Sequence, residues 1–265
     1  MSGRLAIVGL GPGAEDLQTP QARAALETAT DLFGYTTYLD RVPVRAGQTR
    51  HGSDNREEIA RARAALELAY AGKDVAIVSS GDPGVFAMAA AVFEAIDDGE
   101  PHWREIDVIV VPGISAMFAT AARLGAPLGH DFCAISLSDN LKPWDTVIRR
   151  LDAAASADFV IALYNPISRA RPWQLGAALD RLRAHRSPRT PVIFATAVSR
   201  GDEAIEITDL ETADPARADM RTLVMIGSSA TRLVPRPDRA PWVYTPRRVD
   251  GRATEPGPLA AECLK

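Results

Sequence analysis

Three short stretches pair small residues with a polar side chain ahead of a helix-like pattern, and chemistry is expected there. They are GLGPGA at residues 9–14, SGDPGV at 80–85 and PGISA at 112–116. Each follows an apolar run, at residues 5–8, 75–78 and 106–111. Glycine lets a backbone approach a ligand closely, and α/β proteins build ligand loops at the carboxyl ends of their strands. Asp82 is the charged group of the second loop. It suits either a cap on the helix that follows or an acceptor for a ligand hydroxyl or amine, and it could sit near a cationic centre such as a sulfonium. Ser115 in the third loop is open to the same two readings. Three such loops in one half of the chain point to a composite site.

The first loop resembles a dinucleotide fingerprint, but only superficially. That motif turns its glycines directly into a helix, so that a pyrophosphate rests on the helix N-terminus. Here Pro12 interrupts the turn, and the best helix start is Thr19-Pro20, about a half-dozen residues too late. An NAD-dependent oxidoreductase is therefore disfavoured, and the loop is free to face another ligand.

Strand and helix patterns alternate around these loops. Strands are predicted at residues 5–8, 31–35, 75–78 and 106–111, and helices at 20–29, 53–71, 84–96 and 115–124. Thr19 is the expected cap of the first helix. Asp54 with Glu57 has capping-box spacing for the second, and Gly72 is its stop. The GAPLG stretch at 125–129 reads as a hinge. Beyond it, strands are expected at 133–137, 159–163, 192–195, 204–207 and 223–226, with helices at 143–155 and 172–184. The economical reading is an α/β protein with domains at 1–127 and 128–234, followed by a Pro/Arg-rich irregular tail at 235–265.

Composition narrows the partners. Of 265 residues, 46% are hydrophobic and 24% charged, and the formal net charge is -4. That balance supplies no overall field for nucleic acid. No apolar run approaches the length needed to cross a bilayer, and the start of the chain lacks a signal-peptide pattern, so a cytoplasmic location is expected. Cys133 and Cys263 are far apart and lack metal-ligand spacing, so no metal site is expected. Lysine occurs only at Lys73, Lys142 and Lys265, which leaves arginine as the main cation. Arginine grips carboxylates through a planar fork, although a compositional bias towards Arg and Ala is the better explanation of the excess.

The order and spacing of the three loops resemble the tetrapyrrole methylase family. The similarity continues through ALYNP at 162–166, FATA at 194–197 and LVMIGS at 223–228, and covers about residues 4–232. Within that family, GYTTYL at 34–39, SDNREE at 53–58, GHDFC at 129–133, LSDNLKPW at 137–144 and LYNPISRAR at 163–171 are similar to a ring-contracting branch of cobalamin biosynthesis.

The resemblance implies two α/β domains with S-adenosyl-L-methionine in a cleft between them, usually in a homodimer. It implies a tetrapyrrole substrate, precorrin-3B, methylated at carbon 17. A sister enzyme acting on another ring carbon is the alternative, separated only by the strings at 129–144 and 163–171. Carried over by position, the cofactor contacts are Gly81, Asp82, Val85, Ser115, Ala116, Tyr164, Asn165, Thr196, Ala197, Ile226 and Gly227. Gly11, Pro12 and Gly13 would then face the macrocycle, with Arg56, Asn140, Lys142 and Arg169 as further substrate contacts.

Methyl transfer from a sulfonium is an in-line displacement that needs positioning and exclusion of water. Ring contraction requires loss of a hydroxyl proton, so a general base is wanted. The candidates are Asp82, Asp54, His130 with its neighbour Asp131, and Asp139. His130 and Asp139 are equally readable as turn or capping residues.

Overall fold

The apolar run at residues 5–8 becomes a strand flanked on both sides, and this placement organises the first half of the chain. A computed structural model describes residues 3–54 and 57–248. It divides the chain into two units, Met1–Ala116 and Met117–Lys265. In order, the first contains β1 (Arg4–Gly9), α1 (Pro20–Thr28), β2 (Asp31–Tyr35), α2 (Thr36–Leu39), β3 (Thr49–Ser53), α3 (Glu58–Tyr70), β4 (Asp74–Ser79), α4 (Met88–Asp98) and β5 (Asp107–Val111). All five strands are parallel, in the order β3-β2-β4-β1-β5. Such a sheet is buried on both faces. Leu5 and Ile7 join a cluster with α3 and α4 residues, and Ala6 and Val8 join one with Ala22, Leu26 and Leu39.

Local signals explain most boundaries. Thr19 Oγ1 accepts from the Ala22 amide at 3.1 Å, and Pro20 follows as the first helical residue. Gly72 takes φ +90° after α3, where the Gly72 and Lys73 amides donate to Ala69 and Leu68 carbonyls. Two helices begin later than expected, α3 by five residues and α4 by four. Only half of the capping box forms: the Glu57 carboxylate accepts from the Asp54 amide at 3.1 Å, and α3 starts at Glu58. Ahead of α4, Phe86 adopts φ +52°, and the Met88 amide donates to Ser79 Oγ. Residues 80–87 are thereby kept as loop.

The second unit contains α5 (Ala116–Leu124), β6 (Gly125–Ala126), β7 (Phe132–Ser136), α6 (Trp144–Ser156), β8 (Val160–Tyr164), α7 (Gln174–Arg183), β9 (Pro191–Thr196), β10 (Ala204–Asp209), β11 (Thr222–Ile226), β12 (Arg232–Arg236) and β13 (Arg239–Tyr244). Helix α5 begins on the last residue of the first unit. The main sheet runs β10-β9-β11-β8-β7. Strands β7 and β8 are parallel, whereas β11 is antiparallel to both β8 and β9. Leu151, Leu175, Leu179 and Leu182 of α6 and α7 pack with Ile161, Leu163, Phe194 and Val224 of the sheet.

Two expectations are corrected here. Residues 125–129 are no hinge: Gly125 and Ala126 pair with Val243 and Tyr244, and Thr245 Oγ1 donates to the Pro127 carbonyl at 2.6 Å. The stretch after residue 234 is not irregular as far as Tyr244, because β12 and β13 form a hairpin. Its prolines are tolerated for positional reasons. Pro235 lies on the edge strand at a register shift, and Pro241 lies outside the part of β13 that meets β6. Val243 is buried, and Arg236 of β12 stacks over Trp242 of β13 at 4.8 Å, tying the two strands to each other.

Strand β3 went unforeseen because Thr49-Arg50-His51-Gly52-Ser53 lacks an apolar run. It survives at the sheet edge through side-chain contacts. His51 stacks on Phe33 with centroids 4.2 Å apart, and its Nε2 lies 2.8 Å from Asp31 Oδ1. Burial alone would raise the Asp31 carboxyl, but hydrogen bonds with His51 and Thr30 outweigh it and hold the pKa below the ordinary value. A depressed carboxyl contributes stability above its unfolded pKa and loses it as pH falls through the folded one. Asp31→Asn should therefore lower the denaturation midpoint at neutral pH. Below about pH 4, the ordinary carboxylate range, its deficit against wild type should shrink progressively. Urea melts of both proteins from pH 7 to pH 2.5 check this, and a deficit independent of pH would contradict it.

Candidate active site

In the first unit the three glycine-bearing loops leave the same edge of the sheet, where Gly9 registers with Ser79 and Val8 with Val111. They meet at distances that exclude side chains. Gly11 and Gly81 form an isolated antiparallel bridge, with amide-to-carbonyl distances of 3.1 and 2.9 Å. Both take left-handed backbone angles, φ +70° and +67°. A β-carbon on Gly9 would lie 2.7 Å from the Gly113 nitrogen, and one on Gly113 only 2.1 Å from the Gly81 oxygen.

Asp82 locks this junction. Its Oδ1 accepts from the Gly84 amide at 2.8 Å, and its Oδ2 accepts from the Gly113 amide at 3.0 Å. The carboxylate thus caps its own loop and ties it to the third. The helix-cap reading is corrected: α4 begins at Met88, whose amide is met by Ser79, and the Asp82 carboxylate instead cross-links two loops. Val85 follows with its amide on the Asp82 carbonyl, and Ser115 is buried at the entrance to α5.

Asp54 follows the carboxyl end of β3, which is the same edge of this sheet, and is exposed. Its carbonyl accepts from Arg61 at 2.6 Å. Arg61 is itself buried, and burial holds its pKa below the usual arginine range despite Glu58 and Glu57 nearby. Arg56 lies outside the described residues.

In the second unit, β7, β8 and β9 present their carboxyl ends together, because β8 and β9 both oppose β11. Tyr164 and Asn165 end β8; Thr196 and Ala197 end β9. The Tyr164 hydroxyl accepts from the Met117 amide at 3.2 Å, and Asn165 Nδ2 donates to Ser136 Oγ at 3.0 Å. Thr196 Oγ1 lies 2.8 Å from Thr222 Oγ1. Asn165, Ala197 and Ser199 adopt φ of +51°, +50° and +65°, values that side-chain-bearing residues rarely take. Phe86 in the second loop of the first unit does the same. Strain of this kind concentrates where a site demands one geometry.

The same edge carries Asp139, Asn140 and Lys142, in the loop after β7. Asp139 Oδ2 accepts from buried Gln174 at 3.0 Å, and Lys142 Nζ donates to the Ser138 carbonyl at 3.0 Å. Burial, reinforced by Arg150 and Arg171, holds the Lys142 ammonium below the usual lysine range. Arg171 reaches the Asn165 carbonyl at 3.2 Å, and Arg169 sits exposed in the same loop.

Three expected residues fall elsewhere. Ile226 registers with Ile161 and Val192, and the Gly227 amide donates to Pro191, so both lie at the opposite edge of the sheet. The antiparallel direction of β11 causes this, and Thr222 takes the place expected of them. His130 precedes β7 at that opposite edge as well. Its Nδ1 accepts from the Asp131 amide at 2.7 Å, a local turn contact. The five-residue strand between it and Ser136 spans about 13 Å.

Sequence reasoning also missed Arg41, whose guanidinium donates to the Leu10 and Gly11 carbonyls and to Ser80 Oγ. Its one sequence signal was the GYTTYL string just upstream. Among the described residues, no cluster of His, Cys, Asp or Glu could hold a metal, and no helix is long and apolar enough to cross a membrane.

This combination of a parallel glycine-looped unit and a mixed second sheet has known counterparts. Residues 4–214 match the Tetrapyrrole (Corrin/Porphyrin) Methylases, and the chain belongs to that family of methyltransferases. It is 56% identical over 247 residues to a Sinorhizobium protein named Precorrin-3B C(17)-methyltransferase, covering 93% of this chain and 97% of that one. Among solved structures it resembles the methyltransferase CobJ, at 51% identity and a TM-score of 0.88 over 92% of this chain and 100% of the other. The fold also matches a uroporphyrin-III C-methyltransferase from Thermus thermophilus complexed with S-adenosyl homocysteine. That likeness has 23% identity and a TM-score of 0.65, covering 85% and 97% of the two chains.

The glycine junction makes a sharp contrast possible. Gly113→Ala drives a methyl group onto a backbone oxygen and should cost about 3 kcal/mol or more. Gly201→Ala meets nothing within 4 Å and should change stability by about 0.5 kcal/mol or less. Denaturant titration of the two variants beside wild type decides. Equal stabilities would mean that the loops separate without penalty.

Proposed function

We propose that this chain is an S-adenosylmethionine-dependent methyltransferase of cobalamin biosynthesis. It methylates precorrin-3B at carbon 17 and contracts the ring to give precorrin-4. The observation that supports this most strongly is the 56% identity over 93% of the chain to a protein bearing that activity in its name. The proposal includes a cytoplasmic homodimer.

The residues present fit the cofactor. At Gly81 a β-carbon would meet nothing closer than 3.7 Å, so its backbone is open to the close approach that an adenosine-bearing ligand requires. The positive-φ backbones at Asn165 and Ala197 are held by the Asn165–Ser136 bond and the Ala197 amide on the Arg221 carbonyl. When bound, the cofactor supplies an electrophilic methyl group on a sulfonium. The chain's own task is then to align the ring carbon with that methyl and keep water away, which can lower a barrier by several kcal/mol.

The cofactor-facing residues under this reading are Gly81, Val85, Ser115 and Ala116 from the first unit. Tyr164, Asn165, Thr196 and Ala197 serve from the second. Asp82 acts by holding two loops together. Residues 11–13, with Asn140, Lys142 and Arg169, face the substrate, whose carboxylates suit the cations. For the proton lost in ring contraction, Asp54 and Asp139 remain as bases, because each lies at a ligand-bearing sheet edge.

Isothermal titration of ligand-free protein with S-adenosylhomocysteine tests the cofactor assignment, with NAD as control. Wild type should bind the homocysteine adduct and give no heat with NAD. Asp82→Ala should weaken binding about 10- to 100-fold, because two charge-assisted hydrogen bonds are lost together. Turnover of precorrin-3B with a 13C-labelled methyl donor then locates the new methyl. Label at another ring carbon would point to a sister activity, and NAD binding would overturn the cofactor assignment.

A further inference from the structure

The GYTTYL string at 34–39 is absorbed neither by the cofactor loops nor by the substrate loop, although it packs with unusual closeness. A β-carbon on Gly34 would lie 2.5 Å from Val78 Cγ2 and 3.1 Å from Leu39 Cγ. Omitting that side chain lets β2 run straight into α2 and brings the helix back over the sheet. Leu39 and Val42 are both buried there in one apolar cluster. The turn between them is tight, with the Arg41 amide on the Tyr38 carbonyl and the Val42 amide on the Leu39 carbonyl. Anchors on both sides therefore aim Arg41 at the ends of β1 and β4.

Its guanidinium reaches both loops at once. Nη2 donates to the Leu10 and Gly11 carbonyls at 3.3 and 3.1 Å, and Nη1 donates to Ser80 Oγ at 3.1 Å. The Gly11 carbonyl also accepts from the Gly81 amide, so Arg41 grips the bridge itself. Arg41 also lines a cavity of about 170 Å³, together with Gly13, Gln18 and Arg23. Water entering there could replace the lost donors, so the fold should outlast removal of the arginine.

We propose that Arg41 is a positioning residue that sets the substrate-facing loop at residues 11–13 against the cofactor loop beginning at Ser80. This inference rests on the functional reading above. Asp82 holds the second loop through bonds that do not involve Arg41, so cofactor affinity and substrate turnover should part company. A planar fork serving three acceptors is also poorly replaced by lysine's single ammonium.

The test compares Arg41→Ala, Arg41→Lys and Ser80→Ala as full-length proteins. In all three, the Kd for S-adenosylhomocysteine should stay within about threefold of wild type. The kcat/KM for the tetrapyrrole should fall about 100-fold in Arg41→Ala, the scale of an ångström-sized misplacement. A smaller loss is expected in Arg41→Lys and the smallest in Ser80→Ala. Turnover unchanged in Arg41→Ala, or cofactor affinity falling in step with turnover, overturns the proposal. Should Arg41→Ala fail to fold, the same two readings on Arg41→Lys and Ser80→Ala decide.

Hydrogen exchange keeps the two claims separate. If wild type binds no S-adenosylhomocysteine, the functional reading fails. The positional claim is then read from amide exchange in the folded variants. Faster exchange at Gly11 and Gly81, with Gly84 and Gly113 unchanged, supports Arg41 as the clamp on the bridge. Uniform acceleration or none overturns it.

Discussion

The carbonyl oxygen of Gly81 and the α-carbon of Gly113 approach so closely that no side chain fits between them. Three separate strand-to-helix connections have to share the space above β1, β4 and β5, and only α-carbons without a side chain allow it. The Gly11–Gly81 bridge and the Asp82 carboxylate then convert proximity into fixed geometry. Loops usually gain their shape from their own turn residues. Here each loop is shaped by the other two, which explains why the parallel sheet must place those strands side by side.

The second unit reaches a comparable result by different means. Its sheet mixes strand directions, so loops that follow one another in sequence do not all emerge at one edge. Asn165 and Ala197 emerge at the edge that also carries the loop after β7, whereas Gly227 emerges at the other. There Gly227 serves stability. Buried Arg186 donates to the carbonyls of Ala154, Phe159 and Gly227 and pairs with Asp158. Asn165, Ala197 and Ser199 take positive φ at one edge; at the other, Asp158 does so too, beside the dense network of bonds that Arg186 makes.

Much of this was legible in the residues. Apolar runs marked β1, β4 and β8 almost to the residue, and Thr19-Pro20 marked the start of α1. The glycine loops and Asp82 stood out because their spacing repeats one local pattern. What escaped notice has a common physical origin, namely dependence on partners remote in sequence. Strand β3 has no apolar run and is held by a histidine stacked on the neighbouring strand. Arg41 is an ordinary surface arginine until the packing of Gly34 against Val78 aims it. Ile226 and Gly227 were misplaced because a linear motif carries no strand direction. The hairpin at 232–244 was hidden by prolines that only the pairing pattern makes harmless.

That hairpin bears on the order in which the chain acquires its shape. The two-residue strand at Gly125 and Ala126 finds its partner in Val243 and Tyr244, and the bond between Thr245 and Pro127 closes a loop of 118 residues. On a ribosome, the first unit can assemble from contacts already synthesised. The second must wait for almost its whole length, since contacts so distant in sequence form late. Until then Gly125 and Ala126 present an open strand edge to whatever is nearby. Strand β11, interior to the main sheet, and the hairpin both lie beyond residue 214, so neither sheet of the second unit can be completed before that segment is made.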